Sequence, residues 1–299
     1  MVRYGAVRTR RAAGNPKGDV PMMWHLVADS ACDLNTLEGT EGKIDFATIP
    51  FSIRIGGKEY IDDENMAIDE MLEMNESHSE VAQTACPSPE IWRERFSVPG
   101  PVIAFTISGA LSGCYNSACL GRDMLLEDEP DKQVAIIDTK ATGPEMSMLI
   151  WRARDLILEG RSFEEIEKDL IESADRIHTC FALSSYHNLI KSGRVNRLIG
   201  IIAGHLGFWG IGAGDEKGEI VIRGKARGSK GMVRFLVEEI GKVGIAGKQI
   251  VISHCRNLKD ALALKEALEK AYSQVEVLVQ ATRGLDSFYA ERNGLIVGY

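Results

Sequence analysis

The chain has 299 residues, of which 44% are hydrophobic, 26% charged and 7% aromatic. This is the composition of a globular protein, and it excludes disordered, fibrous and collagen-like classes. The formal net charge of −8 argues against a protein that wraps nucleic acid or adsorbs to an anionic membrane, because both partners attract basic surfaces.

The first 20 residues differ in charge from the rest of the chain. They hold five Lys or Arg residues and one acid, and they lack the apolar stretch of a secretory signal. Met22 and Met23 stand directly before the first apolar run. We therefore expect residues 1–22 to be a disordered extension or the product of a wrongly assigned start.

Apolar runs and helical patterns alternate along the remaining chain. Strands are predicted at 24–30, 46–57, 101–108, 133–139, 178–185, 219–228, 248–255, 274–282 and in the closing LIVGY. Helices are predicted at 66–76, 89–97, 112–127, 144–159, 162–174, 229–244 and 258–272. This alternation implies right-handed crossovers and parallel strand pairing, at least in the first half, with a domain boundary near residues 174–178.

One segment resembles a membrane span in its lack of charge. Residues 198–214 contain no Lys, Arg, Asp or Glu, but they include His205 and six glycines. A spanning helix needs about 20 apolar residues, so we do not expect an integral membrane protein. The run is expected to line an apolar interior or to form a core helix and loop, and transient membrane contact stays open.

The six cysteines show no CxxC pair and no metal-type spacing with histidine. Since no export signal is present, we expect reduced thiols and a cytoplasmic location. No metal site and no cofactor are predicted.

The segment after the predicted strand 101–108 is the most informative candidate site. Ser108 ends the strand, Gly109 and Gly113 permit a tight turn, and Ser112 stands where the next helix should begin. Backbone N–H groups at a helix start and serine hydroxyls together suit a small anion such as a carboxylate. The segment lacks the lysine of a Walker loop and the GxSxG of a hydrolase. A plain strand–turn–helix junction is the alternative.

Four other residues lie at comparable places. Thr84 precedes a predicted helix start, where capping by Ser88 is the simpler interpretation. Asp29 follows the first strand and could act as an acid, bind a metal or cap the next turn, although no carboxylate cluster accompanies it. Arg194 follows a Ser-Gly loop and could be a surface arginine. His254 ends a buried strand, where it is either structural or able to handle phosphate.

These features, in this order, resemble the DegV family of bacterial fatty-acid-binding proteins. Five family motifs are matched, with two substitutions. They are D-S-x-x-D-L at Asp29–Leu34, T-S-x-P-S at Thr84–Ser88, S-x-x-L-S-G-T-Y at Ser108–Tyr115, S/G-G-R at Ser192–Arg194 and I-x-H at Ile252–His254. The substitutions are Ala85 for serine and Cys114 for threonine, and Leu206–Trp209 stand where the family usually has a Lys-Pro pair. The resemblance runs from about residue 24 to Tyr299.

The resemblance implies a two-domain α/β fold. Its parts would be an N-terminal three-layer α/β/α domain with a mainly parallel sheet, residues 23–175, and a C-terminal two-layer α/β domain with a mixed sheet, residues 176–299. A long-chain fatty acid would lie between them as ligand, and a separate fatty-acid kinase would be the partner that makes the acyl phosphate. The carboxylate-binding residues implied are Thr84, Ser108, Gly109, Ser112 and Gly113. Arg194, His254 and Asp29 are implied for the phosphoryl step or partner docking.

Two other functions remain open. An α/β enzyme could act on a small carboxylate or phosphate compound, with Asp29 and His254 as acid and base. A lipid-responsive regulator without a kinase partner would bind the same ligand. The lack of a nucleophile–base pair in the sequence favours a binding protein over an enzyme.

Overall fold

The computed structural model describes residues 22–78, 81–195, 207–245 and 249–299. Within these ranges the strands are β1 Trp24–Asp29, β2 Ile44–Ile49, β3 Ser52–Ile55, β4 Lys58–Ile61, β5 Gln83–Ala85, β6 Val102–Thr106, β7 Val134–Asp138, β8 Thr179–Leu183, β9 Phe208–Gly214, β10 Ile220–Arg227, β11 Gln249–His254, β12 Glu276–Ala281 and β13 Leu295–Gly298. The α-helices are α1 Ile68–Ser77, α2 Pro89–Phe96, α3 Cys114–Asp128, α4 Pro144–Leu158, α5 Phe163–Ala174, α6 His187–Lys191, α7 Gly228–Val243, α8 Leu258–Ala271 and α9 Gly284–Ala290, and a 3₁₀ turn spans Ser30–Cys32.

The first sheet has the strand order β2-β1-β6-β7, and all three of its pairings are parallel. Val27 of β1 lies between Ala47 of β2 and Ala104 of β6. All five residues of β6 are buried, which is the continuous apolar run expected of a strand covered on both faces. The parallel pairing predicted for the first half is confirmed.

The second sheet is mixed and has the order β10-β9-β8-β13-β11-β12. Among its strands in the described ranges, β11 and β12 pair in parallel and the other pairs are antiparallel. Helices α7 and α8 pack on this sheet, and α4 contacts both β6 of the parallel sheet and β11 and β13 of the mixed sheet. The two sheets are therefore joined through the buried helix α4, in the mixed α/β arrangement that was expected.

A third, antiparallel sheet of order β4-β3-β5 was not predicted as a sheet. It places β5, and with it Thr84, beside β3. The second half of the charge-free run, Phe208–Gly214, is strand β9 within the mixed sheet rather than a helix and loop. A Cβ at Gly212 would lie 2.3 Å from Phe181 Cζ, so the small residue permits the close packing of this strand.

The first part of that run and residues 1–21 lie outside the described residues. Among the helices in the described ranges, none is long and apolar enough to cross a bilayer.

Candidate functional site

A cavity lies between the parallel sheet and the mixed sheet. Its empty space, with the open solvent at its mouth included, is about 820 Å³. Its walls are mostly apolar and come from both halves of the chain, including Phe51, Ile107, Leu111, Phe181, Leu183 and Ile220. Transfer of an apolar ligand from water to such a lining is favourable, because it removes apolar surface from water.

A polar cluster interrupts this apolar wall. The hydroxyls of Thr84 on β5 and Tyr289 on α9 lie 2.9 Å apart and form a hydrogen bond. Ser112 lines the same cavity. Since one hydroxyl of the Thr84–Tyr289 pair donates to the other, the second hydroxyl keeps a proton with which to bind an anionic oxygen.

The Ser108 hydroxyl is already used within the protein. Ser108 is fully buried, and its Oγ donates to the Gly218 carbonyl at 2.9 Å and accepts from the Ala110 N–H at 3.2 Å. The Gly109 N–H donates to Asp138 Oδ1 at 3.0 Å. In the loop predicted to bind an anion, the Ser108 hydroxyl and the Gly109 N–H are therefore hydrogen bonded to other residues of the protein.

The end of this loop forms the start of α3. Gly113 is the N-cap residue, and Ser112 Oγ accepts from the Cys114 N–H at 3.3 Å. The side chain of Ser112, unlike that of Ser108, reaches the cavity wall. The helix start therefore stands beside the cavity.

Arg194 also lines the cavity. Its Nε donates to the Leu111 carbonyl at 3.2 Å, and its guanidinium carbon lies 5.8 Å from the centre of the Tyr289 ring. This contact fixes the 108–113 loop against the segment after α6, and it places a cation next to the polar cluster. The structure thus brings Thr84, Ser112 and Arg194 together.

Asp29 is buried beneath the cavity rather than in its wall. Its carboxylate accepts from the N–H groups of Ala31 at 3.0 Å and Ile107 at 2.7 Å. Burial raises the pKa of Asp29 to about 7, against the lowering effect of these bonds.

His254 stands apart from both the cavity and Asp29. Its Nδ1 accepts from the Asn257 N–H at 3.3 Å, and partial burial together with the charge of Arg256 lowers its pKa. Both residues lie in the described ranges, and their side chains share no hydrogen bond. The geometry gives no support to an acid–base pair of Asp29 and His254.

A set of buried ionisable residues around the start of α9 was not predicted from the sequence. Asp62 accepts from the N–H groups of Gly284 and Leu285 at 2.8 and 2.9 Å, and Asp33 accepts from the N–H of Arg283 at 2.6 Å. The Arg283 side chain is itself buried and donates to the Asp62 carbonyl. Together these acids hold the start of the helix that carries Tyr289.

Asp286 and Thr142 form the other polar pair in the cavity wall. Thr142 Oγ1 donates to Asp286 Oδ1 at 2.5 Å, and both residues line the cavity. Burial raises the pKa of Asp286 well above its usual range, and the neighbouring Asp33 raises it further. No sequence signal indicated either residue, because neither lies in a motif.

Comparison with known proteins shows the same architecture with ligands bound. The chain is 35% identical to the Fatty Acid Kinase (Fak) B3 protein of Streptococcus pneumoniae loaded with linoleic acid, with a TM-score of 0.90 over 93% of this chain and 99% of that one. A DegV family protein from Eubacterium eligens loaded with heptadecanoic acid is 34% identical, with a TM-score of 0.87 over 92% and 98% of the two chains.

Sequence comparison agrees over nearly the whole length. A DegV domain-containing protein of Streptococcus pyogenes serotype M1 is 36% identical over 278 residues, which are 93% of this chain and 99% of that protein. Residues 23–290 match the family described as "Uncharacterised protein, DegV family". The chain belongs to the DegV family.

Proposed function

We propose that this protein binds a long-chain fatty acid in the cavity between its two sheets and presents it to a separate fatty-acid kinase. The observation that carries the proposal is a cavity with mostly apolar walls and a cluster of hydroxyls at Thr84, Ser112 and Tyr289 beside Arg194. Relatives more than 30% identical hold linoleic and heptadecanoic acid.

The apolar chain supplies most of the binding free energy. Burial of one methylene contributes about 0.8 kcal/mol, so some fourteen methylenes contribute roughly 11 kcal/mol before the cost of association is subtracted. Phe51, Phe181 and Ile220 belong to the surface that would receive them. Hydrogen bonds to the carboxylate then fix the orientation of the ligand more than its affinity.

In this proposal the carboxylate lies against the hydroxyls of Thr84, Ser112 and Tyr289 and near the start of α3. Ser108 and Gly109 act indirectly, because their polar groups hold the loop that presents Ser112. Arg194, beside the same cluster, is the residue best placed to serve a phosphoryl group on the carboxylate. Asp29 and His254 lie outside the cavity wall, so a role for either of them would be in positioning or docking.

The binding step is tested by extraction of the purified protein and mass spectrometry of the extract. Ile220→Trp should fill the cavity and remove the bound fatty acid, whereas Ile171→Trp, at a position 50% exposed on α5, should retain it. Absence of fatty acid from repeated preparations of the unaltered protein would overturn the proposal.

The presentation step needs a separate assay. The protein loaded with labelled palmitate is mixed with a purified fatty-acid kinase and ATP, and acyl phosphate is measured. We expect acyl phosphate only when both proteins are present. A loaded protein that supports no turnover with any such kinase would instead favour a lipid-responsive regulator, and turnover without a kinase would favour an enzyme.

A further inference from the structure

The phenyl ring of Phe181 lies over a glycine of the neighbouring strand. Phe181 of β8 and Gly212 of β9 are paired directly in the antiparallel ladder, so their side-chain positions share one face of the mixed sheet. Phe181 is buried and lines the cavity. A Cβ at Gly212 would lie 2.3 Å from Phe181 Cζ and 2.5 Å from Phe181 Cε2. The tip of the ring therefore occupies the space that any side chain at position 212 would need.

The neighbours of the ring determine where it can move. Ile296 of β13 is paired directly with Phe181 on its other flank. Tyr186 is fully buried, and its ring centre lies 6.3 Å from that of Phe181. Between these residues, the ring borders the open space of the cavity. A displacement of the ring away from Gly212 is therefore directed into the cavity.

We propose that Phe181 and Gly212 together set the length of the acyl chain that the cavity accepts. The glycine lets the phenyl ring lie back against β9, and this position leaves the cavity its full volume. An alanine at position 212 would have to move the ring by about 1–2 Å to restore ordinary van der Waals contact, and the ligand would lose that space. This inference rests on the proposed function, because it concerns the ligand of the same cavity.

The size of the effect follows from the methylenes that lose their place. Each methylene that can no longer be buried weakens binding about fourfold. A shorter chain leaves part of the cavity empty and tolerates the displaced ring better than a longer chain. We therefore expect Gly212→Ala to weaken the binding of octadecanoic acid at least about fourfold more than that of tetradecanoic acid.

Competition titration of the delipidated protein against a fluorescent fatty acid, with these two acids as competitors, tests the proposal. Gly212→Ala should lower the affinity ratio of octadecanoic to tetradecanoic acid by at least about fourfold. Phe181→Leu removes the ring atoms that meet position 212 and enlarges the cavity, so it should raise the ratio. A ratio that is unchanged or moves in the opposite sense in either variant would overturn the proposal. If Gly212→Ala does not fold, Phe181→Leu alone decides.

The double variant tests whether Gly212 acts through the ring. In the Phe181→Leu protein, Gly212→Ala should have little further effect on the affinity ratio, because Cζ and Cε2 are absent. The same loss with and without the phenyl ring would overturn the coupling of the two residues.

Gly224→Ala is the matched control on the other face of the sheet. Gly224 of β10 pairs with Ile211, whose side chain points away from the face that carries Gly212. A Cβ at Gly224 would lie 2.8 Å from Cζ of Phe235, which belongs to α7. Gly224→Ala should therefore lower the melting temperature and leave the affinity ratio unchanged. A ratio shifted as in Gly212→Ala would assign the effect to distortion of the sheet and overturn the proposal.

Failure of the proposed function gives a different result. An unaltered protein that binds neither acid would refute the proposed function and the selection of chain length together. Binding of both acids, with the same affinity ratio in all variants, would refute the role of Phe181 and Gly212 alone.

Discussion

Replacement of Thr84 by valine tests the polar end of the cavity with little change in shape. The Thr84 hydroxyl lies 2.9 Å from that of Tyr289, and both residues line the cavity. Valine keeps the branched β-carbon that suits β5, so the strand should persist. The expected result is weaker fatty-acid binding with an unchanged fold.

The size of the effect follows from the hydrogen bonds involved. A hydrogen bond to a charged group contributes about 1.5–3 kcal/mol, which corresponds to roughly a 10- to 150-fold change in dissociation constant. In Thr84→Val the Tyr289 hydroxyl becomes free to donate to the ligand. We therefore expect the loss to lie near the lower limit, at about tenfold.

Competition titration with a fluorescent fatty acid measures this loss, and Thr106→Val provides the matched control. Thr106 on β6 is fully buried, and its hydroxyl has no hydrogen-bond partner in the part of the chain that the structure describes. Thr106→Val should leave the affinity for fatty acid unchanged. It should leave the free energy of unfolding unchanged or raise it. Equal affinities for Thr84→Val and Thr106→Val would refute the assignment of the carboxylate to this cluster.

Three further changes test the fold around the site. Glu145 is buried, its Oε2 has no hydrogen-bond partner among the described residues, and burial raises its pKa well above 4.5. At neutral pH and above, the native state therefore keeps a proton on Glu145 that the unfolded chain releases, and this difference destabilises the fold. Glu145→Gln should raise the free energy of unfolding at about pH 8 but not at about pH 4. An equal gain at both pH values would contradict an origin in the protonation of Glu145. Gly218 has φ +78°, and a Cβ there would lie 2.3 Å from Ser108 Oγ. Gly228 serves as the control, because it has φ +65° but a Cβ there would meet no atom within 4 Å. Gly218→Ala should therefore lower the melting temperature more than Gly228→Ala. Equal losses would show that backbone strain alone, without the contact to Ser108, sets the cost. Arg283→Met leaves buried acids uncompensated and should cost about 3–5 kcal/mol in denaturant unfolding, whereas a loss below about 1 kcal/mol would contradict that role.

Much of the fold is encoded in local patterns. The apolar runs of β6 and β7 indicated a parallel sheet because both faces of those strands are covered. The helix predicted at 162–174 corresponds to α5, which begins at a capping box of Ser162 and Glu165 whose two hydrogen bonds measure 3.3 and 2.9 Å. A domain boundary at residue 175 lies between α5 and β8 and remains a proposal.

The site was only partly visible in the sequence. Thr84 and Ser112 were selected by their position before helix starts, and the structure places both in one cavity wall. Tyr289 was missed because it is 205 residues from Thr84 and lies on a seven-residue helix too short to show periodicity. The role of Asp62 was not predictable from local sequence, because its carboxylate accepts hydrogen bonds from N–H groups of α9, which lie 222 and 223 residues along the chain.

A crystal structure of the protein with a long-chain fatty acid that carries bromine at its methyl end tests the central claim most directly. The account predicts an anomalous bromine peak inside the cavity, in its apolar part near Phe181, and carboxylate density within hydrogen-bond distance of Thr84 and Tyr289. Bromine on the outer surface, or a carboxylate remote from this cluster, would contradict it.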